Sequence, residues 1–370
     1  MISFKTARRL KESTILTNDD RELIGALQAG PRAPWTDIGE ALGVSGVTAA
    51  RRWERISATG VAWVTAAPGM SRRTEQCVAY VEVECMPGRR KEVAAELARH
   101  DLVVTVEITT GTADIMLTIA AANLMTLSHY LLDHLGGMES VLRTRARIAT
   151  KIYTEGSRWR LLDLPEDTLN RLERLRPEPE PDRPDEAVSM TPDVQRVAGL
   201  LTVNGRASYA ELSAETGLSP TTVRRHVSKL LGTGMLVPRT DVAAELSGSP
   251  VQVYLWADAP VDGLPATART ISQIRQVRLC TTVSSAPSML LCAWLHTVEE
   301  VHRLELAIAN RLPQVRIVDR LVVLRTVKRM GRLLDSQGRA VGVVPINIWD
   351  DTLEHPARPG PIESASPTPP

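Results

Sequence analysis

The 370-residue chain carries 44 Lys and Arg against 43 Asp and Glu, a formal net charge of +1, with 43% hydrophobic and only 4% aromatic residues. That length holds about two to four domains whose cores must be Leu, Val, Ile and Ala. The even balance excludes a global pull on polyanions, so nucleic acid would have to be met by a local patch. No apolar run of about 18 residues is present, which excludes a membrane-spanning helix.

The N-terminus, MISFKTARRLKESTI, is basic but lacks the apolar core of a signal peptide. Residues 16–68 then read as three short helices, with Leu23, Ile24 and Leu27, then Ile38, then Ala49, Trp53 and Ile56 facing inward. Gly39, Gly43 and Gly46 lower helix propensity in this unit. Residues 76–153 change pattern. A strand from Cys77 to Cys85 precedes a helix from Gly88 to His100. Alternation at Val104, Val106 and Ile108 marks the next strand, Gly111 a tight connection, and Ala113 to Ala120 a third strand. A helix from Asn123 to Leu135 and a strand from Met138 to Lys151 complete a βαββαβ order, the ferredoxin-like arrangement.

Residues 154–189 are expected to be a linker. Its last part, RLRPEPEPDRPDEAVS, is too rich in Pro and acids for helix, strand or burial. Residues 190–240 repeat the three-helix unit. Thr191 and Pro192 start one helix, Gly205 stops it, Gly217 ends a second, and Ser219 with Pro220 starts a third. Val223, Val227, Leu230 and Leu231 form that helix's apolar stripe. Residues 250–328 repeat the βαββαβ order. Residues 355–370, HPARPGPIESASPTPP, are expected to be a disordered tail.

The repetition is visible residue by residue. GRASYAELSAETGLSPTTVRRHVSKLLGTGML, from Gly205, aligns without a gap to PRAPWTDIGEALGVSGVTAARRWERISATGVA, from Pro31. The fold class expected is α+β: two winged-type helix-turn-helix domains alternating with two ferredoxin-like domains. In such a motif the third helix enters the DNA major groove. The first copy offers Ser45, Thr48, Arg51, Arg52 and Arg55; the second offers Ser219, Thr221, Thr222, Arg224, Arg225 and Lys229. Arg grips guanine or phosphate, and Ser and Thr serve either. An Arg-rich helix face is often only a solvated surface, but the pattern of caps, glycine stops and paired arginines occurs twice.

LTNDDRELIGALQAG and the segment from Gly205 resemble the helix-turn-helix of the Lrp/AsnC (leucine-responsive regulator) family of transcription factors. The βαββαβ unit resembles that family's effector-binding and oligomerisation domain, so the chain resembles a tandem fusion of two members. The reduced thiols and the lack of a signal peptide or spanning helix suit a cytoplasmic protein. Dispersed histidines and the absence of catalytic motifs leave no catalytic role, cofactor or metal expected. The resemblance implies a sequence-specific DNA-binding regulator that responds to a small-molecule effector, such as an amino acid. It implies an effector pocket near Gly111 and Asp114, which match the family's Gly-x-x-Asp turn. In the second half, Ala286 and Met289 stand at those places.

Two other readings remain. A siroheme-decarboxylase-like enzyme has this architecture and would need histidines such as His100, His129, His296 or His302 in its cleft. An effector-independent DNA-organising protein would need none. The four cysteines read as small buried hydrophobes. The bare face of each sheet needs cover, from the other half or from a second chain, and a homo-oligomer, at least a dimer, is expected.

Overall fold

The computed structural model describes residues 16–69, 76–162, 164–176 and 189–349. Helix α1 (Asn18–Ala29) starts at Thr17, whose hydroxyl accepts from Asp20 N while the Asp20 carboxylate accepts from Thr17 N, a reciprocal capping box. Helices α2 (Trp35–Ala41) and α3 (Gly46–Ala58) follow. The glycines expected to weaken this unit are required by its turn. A Cβ on Gly39 would stand 2.7 Å from Gly46 N, and Gly43 takes φ +67 after α2, a conformation glycine adopts without strain.

Strand β1 (Ala62–Pro68) leads into β2 (Cys77–Cys85), α4 (Arg90–Leu97), β3 (Val103–Thr109), β4 (Ile115–Ala121), α5 (Leu124–His129, continued by a π-helical turn over Tyr130–Leu135) and β5 (Val141–Thr154). Helix α6 (Glu166–Arg174) comes next. The second copy runs α7 (Pro192–Val203), α8 (Tyr209–Thr216), α9 (Pro220–Gly232) and β6 (Leu236–Val242). After the short α10 (Ala244–Ser247) come β7 (Val251–Asp258), α11 (Leu264–Ser272), β8 (Val277–Val283), β9 (Met289–Leu295), α12 (Glu300–Arg311) and β10 (Arg316–Arg329). Strands β11 (Arg332–Leu334) and β12 (Ala340–Val343) end the described chain.

The two βαββαβ sheets meet edge to edge, not face to face. Strand β5 pairs with β2 of its own half through Ile148, then with β8 of the other half from Ala149. Strand β10 does the converse, pairing with β7 up to Val322 and with β3 from Val323. The ring β10-β3-β4-β2-β5-β8-β9-β7 closes on β10. A closed barrel leaves no unpaired strand edge. Alternation along the strands then gives two surfaces. Ala79, Val81 and Val83 pack outward under α4 and α5, and Val253, Leu255 and Ala257 under α11 and α12. Val78, Tyr80, Met116, Tyr254, Trp256, Leu290 and Trp294 belong to the opposite, inner face.

Thus the bare sheet faces expected to need sheet-on-sheet cover or a second chain are enclosed within one chain. Buried carboxylates inside the barrel are matched to donors, as burial demands. Glu82 accepts from Trp256 Nε1 at 2.9 Å and Arg147 at 2.7 Å, and Glu107 accepts from Tyr254 Oη at 2.6 Å and Gln252 Nε2 at 2.7 Å.

The helical units are not winged in the expected sense, because neither builds its own β-hairpin. Each contributes one strand, and β1 pairs antiparallel with β6, Ala62 opposite Val242. The expected linker is also structured over much of its length. Leu161 and Leu172 are buried against α1, Leu161 N donates to Gln28 Oε1 at 2.7 Å, and α6 packs on α1 and α2. Of that segment, residue 163 and residues 177–188 lie outside the described residues, as does the whole of the expected tail. Conversely, residues beyond the second βαββαβ unit are used: Ile346, Ile348 and Trp349 join the core of the second helical unit.

Candidate DNA-binding surface and effector turn

Helices α3 and α9 are built alike. Ser45 Oγ accepts from Thr48 N at 3.1 Å, and Ser219 Oγ accepts from Thr222 N at 3.2 Å. In each, the Ser and Thr hydroxyls also hydrogen-bond to one another at 2.9 Å. Capping therefore engages Ser45, Thr48, Ser219 and Thr222, while the helices' inner stripes, Ala49, Trp53 and Ile56 or Val223, Val227 and Leu230, are buried.

The cations differ. Arg52 forms an ion pair with Asp19 at 2.9 Å, and Arg55 pairs with the buried Asp20. Arg51 alone of the three is exposed with no ion pair among the described residues. On α9, Arg224 lies 5.2 Å from the Tyr209 ring, and Thr221, Arg224 and Arg225 are exposed. Lys229 is half-buried with no acid against it among the described residues. His226, between Arg225 and Val227, is pushed below its ordinary value by burial and by Arg225. Two acids of α1 thus hold most of the cationic charge of α3, whereas on α9 no ion pair forms with Arg224, Arg225 or Lys229 among the described residues.

A pair of arginines at equivalent repeat positions clasps the two units. Arg32 donates to the carbonyls of Gly205 and Ala207, and Arg206 donates to those of Pro31 and Ala33 at 2.7 and 2.9 Å. The Arg206 guanidinium also stacks 3.9 Å from the Trp35 ring. Burial lowers the pKa of both, Arg206 to about 10. With the β1–β6 ribbon, this exchange fixes how α3 and α9 are set relative to one another. Sequence reasoning matched Arg32 to Arg206 as repeat positions but assigned them no role; their chemistry needs the partner unit's carbonyls.

The turn after β3 is occupied by structure. Gly111 has φ +89, and a Cβ there would stand 3.0 Å from Arg320 O. Thr110 N donates to Val322 O at 2.9 Å, and Thr112 Oγ1 to Asp319 at 2.7 Å. The turn therefore joins the first half to β10 of the second. Asp114 accepts from Cys85 N at 2.8 Å and pairs with Arg90. In the second half the tie runs the other way, Ser288 N donating to Asp258 at 2.8 Å.

The four candidate histidines do not come together. His100 contacts Tyr130 and His134, at 2.7 and 3.1 Å, outside the barrel; His129 pairs with Asp133 and His296 with Glu300; His302 is exposed. No group of three metal-ligating side chains occurs among the described residues, and the four cysteines are free thiols. No described helix is long and apolar enough to cross a membrane.

Residues 78–159 match the Lrp/AsnC ligand binding domain, residues 16–56 the AsnC-type helix-turn-helix domain, and residues 199–237 a winged helix-turn-helix DNA-binding family. The chain is 28% identical over 142 residues to the HTH-type transcriptional regulator FL11 of Pyrococcus furiosus, a match covering 38% of this chain and 93% of that protein. It is likewise 28% identical over 137 residues to FL11 of Pyrococcus horikoshii, covering 37% and 90%. Among solved structures, the siroheme decarboxylase NirDL in complex with an iron-uroporphyrin III analogue superposes with a TM-score of 0.55 at 12% identity, covering 85% of this chain and 93% of that one. That likeness is one of fold.

Proposed function

We propose that this chain, which belongs to the Lrp/AsnC family in a tandem-duplicated form, is a DNA-binding transcriptional regulator that reads an operator with both helical units and responds to a small metabolite. The observation that carries it is the pair of recognition helices, capped alike, clasped by Arg32 and Arg206, and presenting Arg51 and Arg225 unpaired. Arg51, Arg52, Arg55, Thr221, Arg224, Arg225 and Lys229 are the groups we assign to DNA, Arg52 and Arg55 only after leaving their acids. Ser45, Thr48, Ser219 and Thr222 contribute chiefly by starting the helices. The family's ligand-binding domain supports an amino acid or related metabolite as effector. The resemblance places Gly111 and Asp114 near such a site, but here Gly111 lies against Arg320 O and Asp114 holds Cys85 N and Arg90, so we assign neither a contact with the effector.

The family domain also supports association of chains beyond the single-chain barrel, and the exposed Leu124, Met125 and Leu132 on α5 and its continuation offer an apolar surface for it. Light scattering at micromolar concentration should give a multiple of 40.5 kDa. The regulator reading is tested by retardation of a promoter fragment from the neighbouring genes, with affinity falling steeply as salt rises. Salt-insensitive or absent binding would sink it.

The fold likeness to NirDL favours a second reading, an enzyme on the same architecture. None of His100, His129, His296 and His302 lines the large cavity between the barrel and the β1–β6 ribbon, which argues for the regulator. An absorption band of a haem-like chromophore on the purified protein would support the enzyme instead.

A further inference from the structure

A cavity of about 1010 Å³ lies between the barrel mouth and the β1–β6 ribbon. That is the large end of small-molecule sites. Part of its wall is apolar or aromatic: Val78, Tyr80, Ala120, Leu279 and Trp294. The rest is strongly cationic. Arg158, Arg160, Arg176, Arg239, Arg278 and Arg329 line it with Lys151, against the carboxylates of Glu107, Glu155 and Glu173.

Some of these charges are matched within the protein. Arg239 holds Asp241 through two hydrogen bonds, at 2.8 and 2.9 Å, and Glu155 at 3.1 Å. Arg329 donates to Gln252 and Thr326. Others are matched only in part. Arg278 is 6% exposed and stacks 4.0 Å from the Trp294 ring. It spans Asp241 on one side, but its buried Nη1 has no hydrogen-bond partner. Arg160 pairs with Glu173 at 3.0 Å while its buried Nε also lacks one. Arg176 reaches only carbonyl oxygens, the nearer, Pro238 O, at 3.3 Å. The cavity wall thus carries more guanidinium and ammonium groups than carboxylates, and an anionic occupant would offset that excess.

We propose that this cavity binds an organic polyanion, a molecule with an apolar or aromatic body and two or more carboxylate or phosphate groups. The body would lie on the Tyr80 and Trp294 side, and the anionic groups would face the guanidinium groups of Arg158, Arg160, Arg176 and Arg278 that line the rest of the wall. Arg158 and Lys151, both exposed, stand at the entrance. This deepens the reading of the chain as an effector-responsive regulator, and its regulatory meaning rests on that reading. Ala67 and Pro68 of β1 and Val237 and Arg239 of β6 form one wall. An occupant would therefore press on the ribbon that joins the two helical units. Neither Gly111 nor Asp114 lines this cavity.

Calorimetric titration of the full chain tests it without DNA. Benzene-1,3,5-tricarboxylate is the carboxylate probe, ATP the phosphate probe and benzene-1,3,5-tricarboxamide the neutral control. Binding of either anion but not of the triamide is expected. The affinity should fall about tenfold or more in Arg160→Gln/Arg176→Gln, since each removed guanidinium deletes a charge-assisted hydrogen bond. Arg158→Gln, at an exposed position, serves as the variant certain to leave the fold intact and should weaken binding less. Stronger binding of ATP identifies the natural anionic groups as phosphates, and stronger binding of the tricarboxylate as carboxylates. Failure of both anions to bind the folded chain overturns the proposal. So does equal binding of the triamide, or undiminished binding by a folded double variant. Promoter retardation measured on the same preparations is read separately: its loss with anion binding intact would refute the regulator and leave the site standing.

Discussion

At the scale of single residues, charge on the recognition helices is decided by neighbours. Arg52 and Arg55 face Asp19 and Asp20, whereas Arg225 faces no acid among the described residues. Arg225→Ala should therefore cost about 1–3 kcal/mol of specific DNA binding if it reads a guanine. Titrations against specific and random duplexes check this; equal losses on both would make Arg225 a phosphate contact. A second residue-scale expectation concerns Lys328, fully buried, whose ammonium donates to His100 O at 2.7 Å. Burial lowers its pKa from 10.5 to about 7. Between those values the unfolded chain holds a proton that the folded chain does not. This group's contribution to stability is thus present at high pH and lost as pH falls to about 7. His100, lowered to about 4 by burial and by His134, adds the same sign at acid pH. Urea unfolding of Lys328→Met should show a smaller rise in stability from pH 7 to pH 9 than the native chain. An identical rise in both would refute this.

At the scale of elements, the clasp between the helical units depends on local turns placing main-chain oxygens where the other unit's arginine reaches. Pro31 O and Ala33 O sit just before α2, and Gly205 O and Ala207 O just before α8. Removing Arg206 leaves two buried-side carbonyls and the Trp35 face without their partner. Arg206→Ala should destabilise the chain by about 2 kcal/mol or more. It should also loosen the spacing between α3 and α9. Affinity for an operator carrying both half-sites should fall more than affinity for either half-site alone, measured by fluorescence anisotropy. Parallel losses on whole and half operators would mean that the clasp stabilises without setting spacing.

At the scale of the whole molecule, β5–β8 and β10–β3 make each half the completion of the other. Residues 1–189 and 190–370 expressed separately should each be poorly folded and aggregation-prone, because each exposes two sheet edges and the inner apolar face. Mixed during refolding, they should co-elute with the circular dichroism of the intact chain. Two independently stable halves would contradict this. The fused arrangement also removes the identity that makes a homodimer read a palindrome. Val47 stands against Thr221, Ala50 against Arg224 and Arg55 against Lys229. Selection from a random DNA pool should recover two unlike half-sites at one fixed spacing, about 34 Å or a multiple between centres. A motif that repeats a single half-site would count against it.

Much of this was legible in the sequence because it is local. Caps at Ser45 and Ser219, the apolar stripe at Val223, Val227 and Leu230, and two-residue alternation along β3 are short-range patterns set by backbone geometry. The offset of 174 positions extends them to both halves. What the sequence could not show depends on contacts distant along the chain. The closure of two sheets into one barrel, the shared β1–β6 ribbon, the folding of Leu161 and Leu172 onto α1, and the meeting of Arg160, Arg176 and Arg278 around one cavity each join segments with no common periodicity. Whether an arginine is free for a ligand or tied to an acid is decided by which segment lies beside it. Only the tertiary structure decides that.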